Sequence, residues 1–170
     1  SDELIDAVAE LPKVCELFHI PMQSGDDYIL RRMARAYNTS KYLKMVEKIR
    51  NKIPQAHITS DFIVGFPGET EEHFLNTCKM IEDIRFAFSV TAMYSAREGT
   101  IGAEWEKDPK LKVSEEEKKR RIKKINEVVT DATKAFAEEI YKENPIQEVL
   151  IEGINPKDQN CWQGKTRGGK

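Results

Sequence analysis

The chain has 170 residues, of which 39% are hydrophobic and 33% are charged, and its formal net charge is only −2. This apolar content is enough to bury a core, which excludes wholesale disorder. The small net charge excludes a protein that is basic as a whole, so any nucleic-acid-binding surface must be a local patch. No apolar run approaches the roughly 18 residues that a membrane-spanning helix needs, and residues 1–11 lack the pattern of a signal peptide.

Cysteine usage indicates a reducing compartment. Cys15, Cys78 and Cys161 lie far apart in the sequence, and no C-x-x-C pair occurs. An odd number of cysteines without a ligand spacing argues against a disulfide framework, so we expect a cytoplasmic protein. For the same reason this chain by itself offers no iron–sulfur cluster site.

Residues 1–105 alternate short apolar runs with amphipathic segments. After a helical start, the predicted strands are residues 17–22, 57–64 and 88–94, and the predicted helices between them are residues 26–36, 40–53 and 71–84. This alternation predicts βαβ units with a parallel sheet, and so an α/β fold. Only about three such units fit, whereas a TIM-type barrel has eight. We therefore expect a partial TIM-type barrel or a small open sheet.

The composition changes after this region. Residues 106–144 are predicted to form a polar linker and a long helix, which Ser114 and Glu117 start as a capping box and Pro145 ends. The basic run 118–124 is expected to be a solvated face of that helix. Residues 145–170 begin with a strand-like segment, 147–151, and end in a basic tail.

Three polar residues occupy positions that a simple core would not favour. Gln23 ends the first predicted strand, Arg35 ends the next helix, and Asp61 lies within the second strand. Alternation along that strand places Asp61 on the face that would point into a barrel, where a carboxylate needs partners. Ligands of parallel α/β sheets bind beyond the carboxyl ends of the strands, where Gln23 and the turn 65–69 lie. Gly65 in that turn would permit a ligand to approach the backbone closely.

Each of these features also has a structural interpretation. Asp61 can be a structural hydrogen-bonding residue, the Gly-Phe-Pro-Gly segment can be an ordinary turn, and Arg35 can be a solvated charge. The turn is not a P-loop, because it lacks the spacing and the lysine of that motif.

Three stretches together resemble a known family. The stretches are IPMQSGDDYILRRMARAY (20–37), SDFIVGFPGETEEHF (60–74) and MYSAREGT (93–100). In this order and spacing they resemble the second half of the radical S-adenosylmethionine (SAM) domain of methylthiotransferases. The resemblance implies half of a radical SAM barrel (1–105), a linker helix (106–144) and the truncated start of a TRAM-type β domain (145–170). Gln23-Ser24-Gly25 is more similar to the tRNA-modifying branch than to the branch that modifies a ribosomal protein.

The resemblance also implies roles for individual residues. Gln23 and Asp61 would bind the ribose hydroxyls of S-adenosylmethionine, and Arg35 would bind its methionine carboxylate, for which a guanidinium is suited. The remaining cofactor-binding residues would be Ser24, Ile63 and Gly65, the last two lining the adenine pocket.

The implied reaction adds a methylthio group to isopentenyl-adenosine beside the tRNA anticodon. It requires S-adenosylmethionine and two 4Fe-4S clusters, whose C-x-x-x-C-x-x-C ligands are absent from this chain, so we expect the chain alone to be an inactive C-terminal fragment. The implied partner is tRNA, and the sulfur and electron donors stay unspecified. Contacts to substrate or RNA would come from Arg97, Lys165, Arg167 and Lys170.

Two alternatives stay open. The chain can instead be a fragment of a ribosomal-protein methylthiotransferase, or a non-catalytic RNA-binding module that uses its long helix and basic tail. An incomplete barrel would also leave an open strand edge and an exposed apolar interior, which predicts self-association.

Overall fold

A computed structural model describes residues 1–169 of the chain, in which a three-stranded parallel sheet and its helices precede a two-stranded antiparallel sheet. The elements are α1 (Asp2–Glu10), β1 (Leu17–His19), α2 (Asp27–Arg32), α3 (Thr39–Lys52), β2 (His57–Val64), α4 (Glu71–Ile84), β3 (Phe88–Met93), α5 (Ile101–Glu106), α6 (Glu115–Glu143), β4 (Val149–Asn155) and β5 (Asp158–Thr166). The parallel strands lie in the order β1-β2-β3. The predicted α/β class with a parallel sheet is confirmed, and the sheet is consistent with part of a barrel.

Side chains of the central strand β2 alternate between the two faces of the sheet. Ile58, Phe62 and Val64 are fully buried, whereas Asp61 and Ile63 are half-buried. This is the alternation expected of a strand with helices on one side only. The face that carries Asp61 and Ile63 is called the open face. It is formed by Leu17, His19, Thr59, Asp61, Ile63, Phe88, Val90 and Ala92.

The helices pack on the opposite face and build the core. α1, α3, α4 and α6 each contribute an apolar stripe to one cluster with the buried side of β2. Their principal contacts come from Ile5, Val8, Tyr42, Val46, Ile49, Phe74, Cys78, Ile81, Ile125, Val128 and Ala132. Burial of this surface is the main contribution to the stability of the fold.

Several predicted boundaries were wrong for identifiable reasons. β1 ends at His19 rather than residue 22, because Pro21 has no N–H with which to continue the ladder. Neither Thr39 nor Ser40 caps α3, since Asn38 accepts a hydrogen bond from Lys41 N instead. The predicted polar linker begins within a short helix, α5, which Thr100 caps.

The long helix α6 has an unexpected buried charge. The expected solvated face is wrong at Lys118 and Arg121, which are 2% and 4% exposed. Lys118 pairs with Glu106, and Arg121 pairs with Glu69, so both cations have carboxylate partners. Ser114 accepts from Glu117 N, but the Glu117 carboxylate accepts from Arg120 and Arg121 rather than from Ser114 N, so only half of the predicted capping box forms.

The antiparallel hairpin β4–β5 is attached to the amino-terminal end of the parallel sheet. Arg167 pairs with Glu16 and donates to the carbonyls of Pro12 and Val14. A Cβ on Gly168 would lie only 2.2 Å from the His57 ring, so this glycine allows close contact. Within residues 1–169 no helix is long and apolar enough to cross a membrane.

Candidate functional site

The segment after β1 is held firmly beside β2. Ile20 N donates to Thr59 O, and Met22 N donates to the buried Ser60 hydroxyl. From the helical layer, the Tyr42 hydroxyl donates to Ile20 O at 2.7 Å. Burial raises the pKa of this phenol, so it stays a donor at neutral pH.

Gln23 returns to the sheet after the interruption at Pro21. Its N–H donates to Asp61 O at 2.8 Å, and its carbonyl accepts from Ile63 N at 2.9 Å. Its backbone is left-handed, with φ of 69°, which is uncommon for a residue other than glycine. Gln23 is only 8% exposed, and its side-chain amide makes no hydrogen bond within residues 1–169. The fold therefore fixes an unpaired amide at the carboxyl end of β1.

Asp61 lies on the open face and contacts a residue that the sequence analysis did not select. Its Oδ2 is 3.3 Å from His19 Nε2, and His19 Nδ1 is 3.0 Å from the Thr59 hydroxyl. The Asp61 side chain is 37% exposed, and its Oδ1 has no hydrogen-bond partner in the described chain. One carboxylate oxygen is thus available to a ligand.

Arg35 follows a helix end that controls its position. Ala34 adopts φ of 55°, Ala34 N donates to Arg31 O, and Arg35 N donates to Leu30 O. This is the Schellman pattern, in which glycine is the usual left-handed residue. Two residues later, Tyr37 donates to Pro21 O at 2.8 Å, which ties this segment to the residues before Gln23. The exposed Arg35 guanidinium has no ion pair or hydrogen bond within residues 1–169.

Ser24 and Gly25 connect the loop after β1 to α4. Ser24 is fully buried, its hydroxyl lies 3.3 Å from that of Thr77, and it accepts from Asp26 N. Gly25 N donates to Thr77 at 2.9 Å, and a Cβ on Gly25 would lie 2.6 Å from Thr77 Cα. The Ser24 hydroxyl, predicted to contact the cofactor, is thus engaged within the fold.

The turn 65–69 is braced from α6. Gly65 and Gly68 are left-handed, with φ of 75° and 88°. Gly65 N donates to Glu69 Oε2 at 2.6 Å, and Arg121 donates to the same oxygen at 2.7 Å. A Cβ on Gly65 would lie 2.5 Å from Lys118 Cγ. The close approach predicted for a ligand at Gly65 is therefore made by the Lys118 side chain at this position.

The predicted RNA contacts have different surroundings. Arg97 is exposed in the segment between β3 and α5. Lys165 pairs with Glu152 across the hairpin, and Arg167 is engaged by Glu16. Lys170 lies outside the described residues.

A family model for the Radical SAM superfamily matches residues 1–81. The match covers just under half of the chain, and it shows that residues 1–81 are similar to part of a radical SAM domain. Among solved structures, coproporphyrinogen III oxidase from Escherichia coli, described as a radical SAM enzyme, matches with a TM-score of 0.63 at 15% identity. The match covers 78% of this chain and 30% of that chain. At this identity the structural likeness is one of fold, and the chain spans less than a third of the solved relative.

The residues predicted to bind the cofactors fit one of the two expected groups. An unpaired amide at Gln23, a free carboxylate oxygen at Asp61 and an unpaired guanidinium at Arg35 suit the hydroxyls and the carboxylate of S-adenosylmethionine. The residues do not fit an iron–sulfur cluster, since residues 1–169 contain no group of three or more His, Cys, Asp or Glu side chains that could hold a metal.

His19 and the buried charges around Glu69 were not predicted from the sequence. His19 carries a weak signal, since strand alternation places it on the same face as Thr59 and Asp61 once the register of β1 is known. The charged partner of Glu69 carries no local signal, because Arg121 lies 52 residues away on α6.

Proposed function

We propose that this chain is part of a radical SAM tRNA methylthiotransferase that adds a methylthio group to isopentenyl-adenosine next to the anticodon. The observation that carries the proposal is the backbone bond from Gln23 N to Asp61 O, which places these two residues side by side on neighbouring parallel segments. The motifs around these residues, 20–37 and 60–74, support the choice of the methylthiotransferase branch.

The proposed binding residues contact different groups of the cofactor. Asp61 Oδ1 and the Gln23 amide bind the ribose hydroxyls of S-adenosylmethionine, and Arg35 binds its carboxylate as a bidentate partner. Ile63 is half-buried on the open face beyond Asp61 and would line the adenine pocket. When bound, S-adenosylmethionine would supply the radical chemistry. This chain's residues orient it.

The rest of the chain is assigned to RNA. The hairpin β4–β5 is proposed as the first two strands of a TRAM-type β domain, and Arg97 as a contact to the substrate or to phosphate. Lys165 pairs with Glu152 and Arg167 pairs with Glu16, so each would have to break an ion pair to bind phosphate. Arg97 is therefore the preferred candidate for an RNA contact. tRNA is the proposed partner, and the cytoplasm the proposed location.

Titration calorimetry of this chain with S-adenosylmethionine and S-adenosylhomocysteine tests the cofactor site. We expect Asp61→Asn and Arg35→Ala to weaken both ligands about tenfold or more, since each removes a charge-assisted hydrogen bond. Arg31→Ala is the matched control, because Arg31 is also an exposed arginine, on α2. Equal weakening by the control, or no binding by the unaltered chain, would contradict the proposed site.

Mass spectrometry of modified nucleosides tests the substrate. We expect tRNA from cells that lack the complete gene to lose 2-methylthio-isopentenyl-adenosine and to accumulate isopentenyl-adenosine. The complete gene should restore the product, and the same gene carrying Asp61→Asn should not. A missing methylthio group on a ribosomal-protein peptide, with normal tRNA nucleosides, would instead support the ribosomal-protein branch.

A further inference from the structure

The open face carries a contact that the proposed ligand roles do not include. His19, the last residue of β1, lies beside β2 in register with Thr59. Its Nε2 is 3.3 Å from Asp61 Oδ2 and its Nδ1 is 3.0 Å from Thr59 Oγ1. One imidazole therefore joins a hydroxyl to the carboxylate that is proposed to bind ribose.

From this geometry we infer that His19 is a positioning residue that holds the Asp61 carboxylate in its ligand-binding orientation. The inference rests on the proposed function and adds a residue to it. His19 Nε2 lies at ion-pair distance, 3.3 Å, from Oδ2, which leaves Oδ1 for a vicinal hydroxyl pair of a nucleoside. The pair is close but is not aligned as a hydrogen bond; such contacts in ligand-free sites are often long or poorly aligned and tighten when the ligand binds.

Thr59 allows the imidazole to keep this role in either protonation state. When His19 is neutral, the Thr59 hydroxyl donates to Nδ1 and the proton stays on Nε2. When His19 is protonated, Nδ1–H donates to Thr59, whose own proton turns to Phe18 O, at 3.5 Å. With the roles of Nδ1 and Thr59 assigned in this way, Nε2 is a donor beside Asp61 in both states.

The alternative is that His19 is a surface residue whose contact with Asp61 has no effect on binding. The His19 side chain is 55% exposed, so its loss should change the stability of the fold little. This exposure makes the site suitable for substitution, because a change in ligand affinity can be separated from a change in folding.

A double-mutant cycle on this chain, measured by calorimetry with S-adenosylhomocysteine, tests the inference. We expect His19→Phe to weaken binding about fivefold and His19→Gln, whose amide nitrogen can replace Nε2, to retain most of the affinity. In the Asp61→Asn background, His19→Phe should have no further effect, since the interaction it removes is already lost. Thermal unfolding checks that each variant is folded.

The outcomes separate this inference from the proposed function. If Asp61→Asn abolishes binding while His19→Phe leaves it unchanged, the positioning role is wrong and the cofactor site stands. If the effects of His19→Phe are equal in both backgrounds, His19 acts without Asp61 and the inference is also wrong. If the unaltered chain does not bind, or Asp61→Asn binds as well as it does, the proposed site fails and the positioning role fails with it.

Discussion

Arg121 on α6 donates from Nη1 to both the carboxylate and the backbone carbonyl of Glu69, at 2.7 and 3.0 Å. The two side chains are 5% and 1% exposed, so this is a buried ion pair between α6 and the turn 65–69. Burial raises the pKa of Glu69, and Gly65 N–H and Arg121 offset part of that rise.

Arg121→Met should destabilise the fold by about 3–5 kcal/mol, because it leaves Glu69 buried without its cation. Urea unfolding measures the change. Arg120→Ala is the control: Arg120 is adjacent but half exposed, and its loss should cost within about 1 kcal/mol. Combining Arg121→Met with Glu69→Gln should recover part of the loss. An equal cost for both arginines would refute a special role for the buried pair.

Gly25→Ala should destabilise the chain by about 1–3 kcal/mol, since the added Cβ would meet the backbone of α4 at Thr77 and Asn76. Thermal unfolding measures the effect. Gly99→Ala provides the comparison, because no atom lies within 4 Å of its added Cβ and only its φ of 80° opposes the change. That strain should cost about 1 kcal/mol, and a larger loss at Gly99 than at Gly25 would contradict the packing argument.

Glu117 should make the stability of the chain fall in acid. Hydrogen bonds from Arg120, and then Arg121, lower its pKa from 4.5 to about 2. Because the folded value is depressed, the contribution is present above pH 4.5 and is lost as the pH falls towards 2. The difference in unfolding free energy between the unaltered chain and Glu117→Gln should therefore shrink across this range. A difference that does not change with pH would rule out this assignment.

Arg167→Ala should loosen the attachment of the hairpin to the sheet. It removes the ion pair with Glu16 and the hydrogen bonds to Pro12 O and Val14 O. Amide hydrogen exchange of residues 12–16 and 166–169 should become about tenfold faster, while the exchange of β2 stays unchanged. Lys165→Ala is the control, because the pairing of Lys165 with Glu152 lies inside the hairpin. The same acceleration with both variants would mean that Arg167 does not hold the two parts together.

The sequence predicted those features that depend on local pattern. The bounds of β2 and the orientation of Asp61 followed from alternation, and the start of α4 followed from Thr70 as its cap. Features that depend on distant partners were not predictable. The burial of Lys118 and Arg121 requires Glu106 and Glu69 on other segments, which the helical pattern does not reveal.

In the candidate site too, features set by local pattern were predictable and features set by distant partners were not. The positions of Gln23 and Asp61 at neighbouring strands followed from the predicted parallel sheet. The left-handed backbone of Gln23 and the contact of Asp61 with His19 depend on the early end of β1, which the apolar pattern over 17–22 concealed. The left-handed residue that ends α2 could not be predicted from the sequence, because glycine is the usual signal for such a cap and this position is Ala34.

The pairing of Arg167 with Glu16 joins residues that are 151 positions apart, and this separation bears on the order of folding. Closing so long a loop is entropically costly until the intervening helices and strands have already brought its ends together. We therefore expect the hairpin to dock last during refolding and to detach first under mild denaturant, as a separate opening unit that leaves the parallel strands intact.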